Sequence, residues 1–410
     1  MRIVYLNPCG KCGGAETSLR EILRSLRLAE PSWDLWLVLG EDGPLAGIAR
    51  DLGVQVVVEP FPAQVGRLGD ADRRASFWSL LRAAAATAGY ARRLRRLLRE
   101  LDPSVIHTNG FKMHLLGAWT RPARTPLVWH IHDYVGSRRL MSRLLRLFSR
   151  RCKLAIVNSH SVASDLRTLL PNLPIVPIYN AIDLGRFSPS GPELDLDRLA
   201  GLEPAAPGTV RVGLVATFAR WKGHEVYLQA LARLANEPIR GYIIGGPIYQ
   251  TDGSQWSREE LERISAKLGL ERKVGFTGFV DDTAAAMRPL DIVVHASTQP
   301  EPFGMVIIEG MACAKPVIAS QSGGAAELFS HDQDALGYPP GDASALAREI
   351  LRLAHDAELR TRLGLAGRAT VERHFYGGRL AKQLAGVYGS VTGQTMPPDS
   401  TCVPVSSASH

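Results

Sequence analysis

Residues 301–320 read Glu301-Pro302-Phe303-Gly304-Met305-Val306-Ile307-Ile308-Glu309-Gly310-Met311-Ala312-Cys313-Ala314-Lys315-Pro316-Val317-Ile318-Ala319-Ser320: loop, helix, tight turn, strand. A residue before proline is pushed out of the α region, so Glu301 belongs to extended loop ahead of a helix that begins near Phe303 or Gly304 and contains Glu309. A helix start offers backbone N–H groups and the positive end of the dipole, which suits a phosphate, while two carboxylates suit hydroxyls. Sugar plus phosphate is the first expectation.

The pair does not fit a sugar hydrolase. If every step from Glu301 to Glu309 were helical, the rise would be about 12 Å, beyond the roughly 5 to 9.5 Å that glycosidase carboxylates need. The two glutamates therefore have different jobs. A solvated loop glutamate and a helix-face glutamate are the ordinary reading of an arbitrary E-x7-E, so the rest of the chain decides.

With 410 residues the chain is long enough for two domains with separate cores, and 45% hydrophobic against 21% charged residues is a globular composition. No apolar run approaches the ~18 residues of a membrane span, and the opening run 3–6 is too short for a signal peptide. The expectation is a cytoplasmic protein. A net charge of +8 favours anionic partners such as nucleotides, phospholipid headgroups or lipid phosphates. Nucleic acid is not expected, because no recognised binding motif accompanies the basic balance.

The five cysteines, Cys9, Cys12, Cys152, Cys313 and Cys402, are odd in number and scattered, which argues against a disulfide scaffold. Cys9-Gly10-Lys11-Cys12 is a C-x-x-C ahead of a helix, the setting of a redox pair. No second C-x-x-C exists to complete a zinc site, and two incidental cysteines in a glycine-rich loop are the plainer reading.

Upstream, an apolar run at 2–7 leads into a loop and then helical periodicity at 15–28, with Gly13 and Gly14 at the helix start where backbone can approach a ligand. Further β-rich runs at 35–39, 54–58, 105–107, 127–132 and 154–158 alternate with helices, which implies a parallel sheet. Trp129-His130-Ile131-His132-Asp133 ends one of these strands, where open α/β sheets bind ligands; alternation puts His130 and His132 on one face, and Asp133 is placed to orient an imidazole. Residues 91–99 and 138–153 are strongly basic, and in the latter Arg139, Arg143, Arg146 and Arg150 form one stripe opposite Leu140, Met141, Leu144, Leu145 and Phe148. Such a helix suits an anionic membrane surface, or else is an outer helix with a solvated face.

Composition shifts to Pro, Gly and Ser near residue 185. A second alternating region follows, in which the loop after the strand at 210–217 carries Arg220 and Lys222, and the strand at 316–320 runs into Gly323-Gly324. Opposite a helix N-terminus, Arg220 and Lys222 would complete a pyrophosphate site. The expected organisation is an N-terminal Rossmann-like domain at 1–185, a linker at 186–208, a C-terminal Rossmann-like domain at 209–375, a helix at 376–392 returning to the first domain, and a disordered Pro/Ser/Thr tail at 393–410.

Two Rossmann-like halves with E-P-F-G-x4-E and then K-P-V-I-A-S-x-x-G-G resemble glycosyltransferase family 4 of the GT-B fold, over most of the chain up to about Tyr388. The resemblance implies two parallel-sheet domains facing across a cleft and retaining transfer of a sugar from a nucleotide-diphosphate-sugar donor, with no metal and no cofactor. It puts Glu301 near the donor sugar hydroxyls and Glu309 on the ribose. Arg220 and Lys222 fall on the diphosphate, and the helix start Phe303, Gly304, Met305 and Val306 lies between the two glutamates. Gly13 and Gly14 match the glycine loop facing the diphosphate; His132 matches the acceptor-side histidine, with His130, Asp133 and Asn109 as further acceptor-side candidates. Acceptors of this class are glycans, lipid-linked sugars or small molecules. Two departures stand out: Cys9 to Cys12 precede the glycine pair, and Asn180-Ala181-Ile182-Asp183 has alanine where the family's N-G-x-D has glycine.

The reading from sequence is thus a cytoplasmic, metal-independent retaining transferase, whose basic helices either meet the cytoplasmic membrane face or are solvated outer helices. Its rival is a non-catalytic GT-B subunit that binds a nucleotide or a partner, against which the intact set Glu301, Glu309, Arg220, Lys222 and His132 argues.

Overall fold

The structure, a computed structural model, describes residues 1–11, 13–62, 77–247 and 253–393, and of 77–83 the backbone alone. Apart from Gly393, the tail expected to be disordered lies outside the described residues, as does Cys12. Two parallel sheets carry the chain. In the first, β1 (Arg2–Asn7), β2 (Asp34–Leu39), β3 (Gln55–Val58), β4 (Val105–Asn109), β5 (Leu127–Ile131), β6 (Leu154–Val157) and β7 (Ile175–Pro177) stand in the order β3-β2-β1-β4-β5-β6-β7. In the second, β8 (Val210–Val215), β9 (Ile239–Ile244), β10 (Val274–Gly278), β11 (Ile292–His295), β12 (Val317–Ser320) and β13 (Leu336–Tyr338) stand in the order β10-β9-β8-β11-β12-β13. Helices cover both faces of such a sheet, so its strands are buried along their length: every residue of β4, β5 and β6 is buried, the polar His107, Thr108, Asn109 and His130 included. Both sheets are Rossmann-like. Sequence order reverses at β1 in one and at β8 in the other, and loops leaving the strands on either side of such a reversal diverge to leave a crevice.

The chain divides into two units. Unit 1 comprises Met1–Ala181 with the helix Gly377–Thr392, and unit 2 comprises Ile182–Tyr376. In unit 1 the helix Gly14–Ala29 buries Leu19, Ile22, Leu23 and Leu26 in one cluster with Leu380, Leu384 and Tyr388 of the last helix. Each such side chain contributes about 1.5–3 kcal/mol when taken out of water. Arg379 of that helix donates to the carbonyls of Tyr179 (2.6 Å) and Asn180 (3.1 Å).

The stretch 186–208, expected as a linker, is instead tied into unit 2. Arg288 donates to the carbonyls of Arg186, Ser188 and Pro192 at 2.7 to 3.0 Å. Asp197, 3% exposed, accepts from Tyr242 at 2.6 Å and pairs with Arg240 (2.7 Å) and Arg211 (2.9 Å). Local composition reads as a hinge because these anchors are supplied by residues far along the chain. The helices Ala343–His355 and Ala357–His374 are parted at Asp356, whose carboxylate caps the second by accepting from Leu359 N.

Candidate functional site

In unit 2 the loop after β8 and the loop after β11 leave from either side of the reversal, and a lysine and a glutamate meet between them. Lys222 Nζ lies 2.7 Å from Glu301 Oε1 and 2.8 Å from Oε2. Lys222 ends the short 3-10 turn Arg220–Lys222, and Gly223 follows with φ +76°, where an added Cβ would fall 1.8 Å from the carbonyl oxygen of Ala296. Only glycine lets this turn pack on the end of β11. The loops are also joined by Thr298 N donating to the Trp221 carbonyl at 2.7 Å.

Glu301 is 7% exposed. Besides Lys222, its Oε2 accepts from Ser297 Oγ at 2.6 Å and lies 3.3 Å from His295 Nε2, while His295 Nδ1 lies 3.4 Å from Ser320 Oγ. Burial pushes the Glu301 pKa up, but the Lys222 charge and the His295 hydrogen bond outweigh it and hold the carboxyl well below the usual range. Its backbone is pinned as well, the carbonyl accepting from Gly324 N at 2.7 Å, which draws the Gly323-Gly324 turn to the same edge. Arg220 stacks on Trp256, guanidinium carbon 3.7 Å from the ring centroid, and lies 3.4 Å from Glu260, so its orientation is set before any ligand binds.

The helix predicted from the opening stretch is Met305–Ala312, preceded by Gly304 at φ +101° with no side chain capping it. Met305, Val306 and Glu309 are half-buried. Phe303 is 3% exposed and packs edge-on to Phe375 at 6.2 Å, so what it offers a ligand is main chain. His295, Ser297 and Ser320 were missed from sequence. The available signal was position, since all three stand at or just beyond the carboxyl ends of β11 and β12.

In unit 1 the ends of β4 and β5 bring His130, His132 and Asn109 together. The His130 and His132 rings stack at 3.9 Å, and His132 Nε2 lies 3.2 Å from Asn109 Oδ1. Asp133 does not join them. It lies in the bend beyond β5, where it pairs with Arg138 at 2.5 Å and accepts from Tyr134 N at 2.9 Å, so Asn109 rather than Asp133 is the side chain beside the imidazole. Desolvation pushes His132 down to about 4 and His107 to about 3, and holds His114 and His130 well below the ordinary value. All four rings are neutral at pH 7. His107 and His114 were also missed; for His107 the signal was Val-Ile-His-Thr-Asn at a strand end, while His114 lies on the helix Phe111–Thr120 that follows.

Gly13 precedes the helix Gly14–Ala29 at φ −97°, a conformation open to any residue, and nothing lies within 4 Å of a Cβ added at Gly14. Glu16 Oε2 accepts from Gly13 N at 3.2 Å, so a carboxylate already caps this helix start. Cys9 Sγ lies 3.5 Å from Glu16, and burial, with the Glu16 charge, pushes its thiol up to about 12, the opposite of a redox nucleophile.

The basic helix Arg139–Phe148 buries Leu145 and half-buries Met141, Leu144 and Phe148, but Leu140 and Leu147 are each 72% exposed beside Arg139, Arg143 and Arg146. The expected apolar stripe therefore loses Leu140 to the surface. Among the described residues no helix is long and apolar enough to cross a membrane.

Comparison with known proteins agrees with this geometry. The family model described as "Glycosyltransferase Family 4" matches residues 12–186, and "Glycosyl transferases group 1" matches 204–370. LpsD of Rhizobium meliloti, a lipopolysaccharide core biosynthesis glycosyltransferase, is 28% identical over 69% of this chain and 74% of its own. LpsE of the same organism, of like description, is 31% identical over 47% of this chain, which spans about half (53%) of LpsE. Anabaena HepE, solved with UDP and glucose, superposes with a TM-score of 0.76 at 26% identity, covering 95% of this chain and 99% of HepE. The chain belongs to the family 4, group 1 glycosyltransferases of the GT-B fold.

Proposed function

We propose that the protein is a metal-independent retaining glycosyltransferase, with its nucleotide-diphosphate-sugar donor held by unit 2 and its acceptor hydroxyl by unit 1. The observation that carries this reading is the buried Lys222–Glu301 pair at the reversal between β8 and β11, with Arg220 fixed on Trp256 in the same loop. Breaking an anomeric C–O bond sends negative charge onto the leaving diphosphate. Two fixed cations and the start of the helix Met305–Ala312 supply the compensating positive field without a metal. Glu301, kept ionised by Lys222, accepts from donor-sugar hydroxyls, and Glu309 accepts from the ribose.

No covalent nucleophile is assigned. The acceptor attacks the same face that the diphosphate leaves, and its proton passes to the departing phosphate oxygen. His132 lines the acceptor side as a neutral ring hydrogen-bonded to Asn109. HepE, described as bound to UDP-glucose, makes a UDP-sugar the first donor to test, and LpsD makes a lipopolysaccharide-type glycan the first acceptor. The exposed Leu140 and Leu147 among arginines suit an anionic, cytoplasmic membrane face, where lipid-linked acceptors are found.

A thermal-shift screen of nucleoside diphosphates and their sugars tests the reading, because a ligand of the folded state at about a hundred times its Kd stabilises by about 2.7 kcal/mol. UDP and a UDP-sugar should raise the transition of unit 2, and transfer should continue in a chelator. No response to any nucleotide, or activity lost in chelator and restored by a divalent ion, refutes it.

A further inference from the structure

Lys222 serves two anions. Its ammonium lies on both oxygens of Glu301, and in the reaction proposed above it also meets the donor diphosphate, an anion of higher charge than a carboxylate. The side chain is 20% exposed on a short turn, within reach of a ligand. A cation drawn toward phosphate holds Glu301 less, so other groups must keep that carboxylate in place. Three side chains behind it are shut off from solvent: His295, Ser297 and Ser320 are 2%, 0% and 0% exposed. His295 and Ser320 end the neighbouring strands β11 and β12, and Ser297 follows two residues beyond His295. Ser297 Oγ donates to Glu301 Oε2 at 2.6 Å, while His295 Nε2 lies 3.3 Å from the same oxygen and 3.1 Å from Ser297 Oγ. Ser320 Oγ lies 3.4 Å from His295 Nδ1.

These neighbours place the proton on the His295 ring. An ionised carboxylate only accepts, and the single Ser297 proton is used on Glu301, so both groups facing Nε2 are acceptors. With its proton on Nε2, the ring donates to that pair and Nδ1 accepts from the Ser320 hydroxyl; every donor in the set then has an acceptor. With the proton on Nδ1 alone, the Nε2 lone pair faces the carboxylate, and Ser297 has one proton for two acceptors. Ser320 Oγ is then itself the acceptor for Nδ1–H, and its own proton has no acceptor among the described residues. An acceptor and a donor are stranded in a buried site, which disfavours this form by about tenfold or more. A second ring proton would leave Nε2–H as it is.

We propose that His295 and Ser297 are positioning residues for sugar transfer: two donors out of the ligand's reach that fix Glu301 Oε2 and keep the carboxylate ionised while the donor diphosphate draws on Lys222. Neither residue touches substrate; both act through Glu301, so the proposal rests on the assignment of Glu301 to the donor sugar. Against the upward push of burial, the His295 hydrogen bond comes next after the Lys222 charge among the effects that hold this carboxyl low. The sheet supplies the rigidity, since His295 pairs in register with Ala319, the residue before Ser320.

The test combines release of UDP from UDP-glucose with calorimetric titration of UDP and two NMR measurements that need no substrate. His295→Leu should lower kcat about ten- to a hundredfold, the range for losing a hydrogen bond to a charged group, with UDP affinity within about twofold of wild type. His295→Gln puts an amide N–H near the place of Nε2 and should keep kcat within about fivefold of wild type. Ser297→Ala, a smaller change on the same oxygen, carries the expectations of His295→Leu if that variant does not fold. Two-bond 1H–15N spectra of histidine-labelled wild type should show Nε2 protonated, and the 13C-labelled Glu301 carboxyl should titrate at higher pH in His295→Leu than in wild type. The proposal is overturned by a bare Nε2 in wild type, by wild-type kcat in His295→Leu, by His295→Gln as impaired as His295→Leu, or by kcat and UDP affinity falling together. A wild-type protein that neither binds nor turns over a nucleotide sugar refutes the function proposed above, and the two NMR measurements still decide whether His295 holds Glu301.

Discussion

Replacing Lys222 by methionine keeps the aliphatic stem and removes the ammonium that faces Glu301. In the wild-type protein the Glu301 carboxyl titrates far below its ordinary 4.5, so its contribution to stability is complete above the unfolded value. That contribution is lost only as pH falls through the depressed folded value, and from about pH 8 to 5 it is constant. In Lys222→Met the carboxylate keeps Ser297 and His295 but loses the cation. Leaving one partner of a buried pair unmatched costs about 3–5 kcal/mol; the Lys222 side chain is 20% exposed, and discounting for that solvent access leaves about 2–3 kcal/mol. At about 2–4 °C per kcal/mol for a domain of this size, the unit 2 transition should fall by about 4–12 °C near neutral pH. The sign of the pH dependence follows. With the cation gone, burial dominates and lifts the folded pKa above 4.5, so acidification relieves the penalty and the gap to wild type narrows toward pH 5. Scanning calorimetry across that pH range reads it, and the double variant Lys222→Met/Glu301→Gln should recover most of the loss. A variant as stable as wild type at pH 8, or a gap that widens on acidification, would mean that the pair is not held as described.

Glu301→Ala should lower turnover by at least about a thousandfold while UDP affinity, followed by calorimetric titration, changes little, because its contacts are to the sugar. Wild-type protein should float with vesicles rich in anionic lipid and not with neutral ones; Arg139→Glu/Arg143→Glu/Arg146→Glu should lose this, at about 1 kcal/mol per arginine, and equal binding of the triple variant counts against a membrane role for this helix. Thiol alkylation at pH 8 should leave turnover intact, since a Cys9 thiol raised to about 12 is protonated there and not a redox nucleophile; loss of activity on modifying Cys9 would contradict that.

What the sequence disclosed and what it withheld have separate physical origins. Both parallel sheets were legible because their strands are buried on both faces and read as short β-rich runs dominated by apolar residues, as in Leu154–Val157. Arg220, Lys222 and Glu301 were legible because each sits in a loop at a strand's carboxyl end, where fold alone sends ligand-facing groups. The fate of 186–208 was not, since proline and glycine announce a break in regular structure but not the side chains, Arg288 and Arg240, that fasten the segment down. Asp133 was misplaced because adjacency to His132 suggested a pair, whereas the chain bends after β5 and Asp133 pairs with Arg138. Tyr388 and His107 escaped notice for a related reason: their contact joins residues 281 apart, and no local pattern marks it.

The membership of the helix Gly377–Thr392 in unit 1 has a consequence for how the protein is made. Leu19, Ile22 and Leu23 emerge from the ribosome early, yet the residues that cover them, Leu380, Leu384 and Tyr388, come after the whole of unit 2. At about 5–20 residues per second, the first half waits roughly 10 to 40 seconds for its last helix. Unit 2, whose strands and anchors are contiguous in the chain, can finish folding during that interval. The nascent first half meanwhile exposes an apolar face, the kind of surface that holding chaperones bind, and a chain released before residue 377 would keep that face bare.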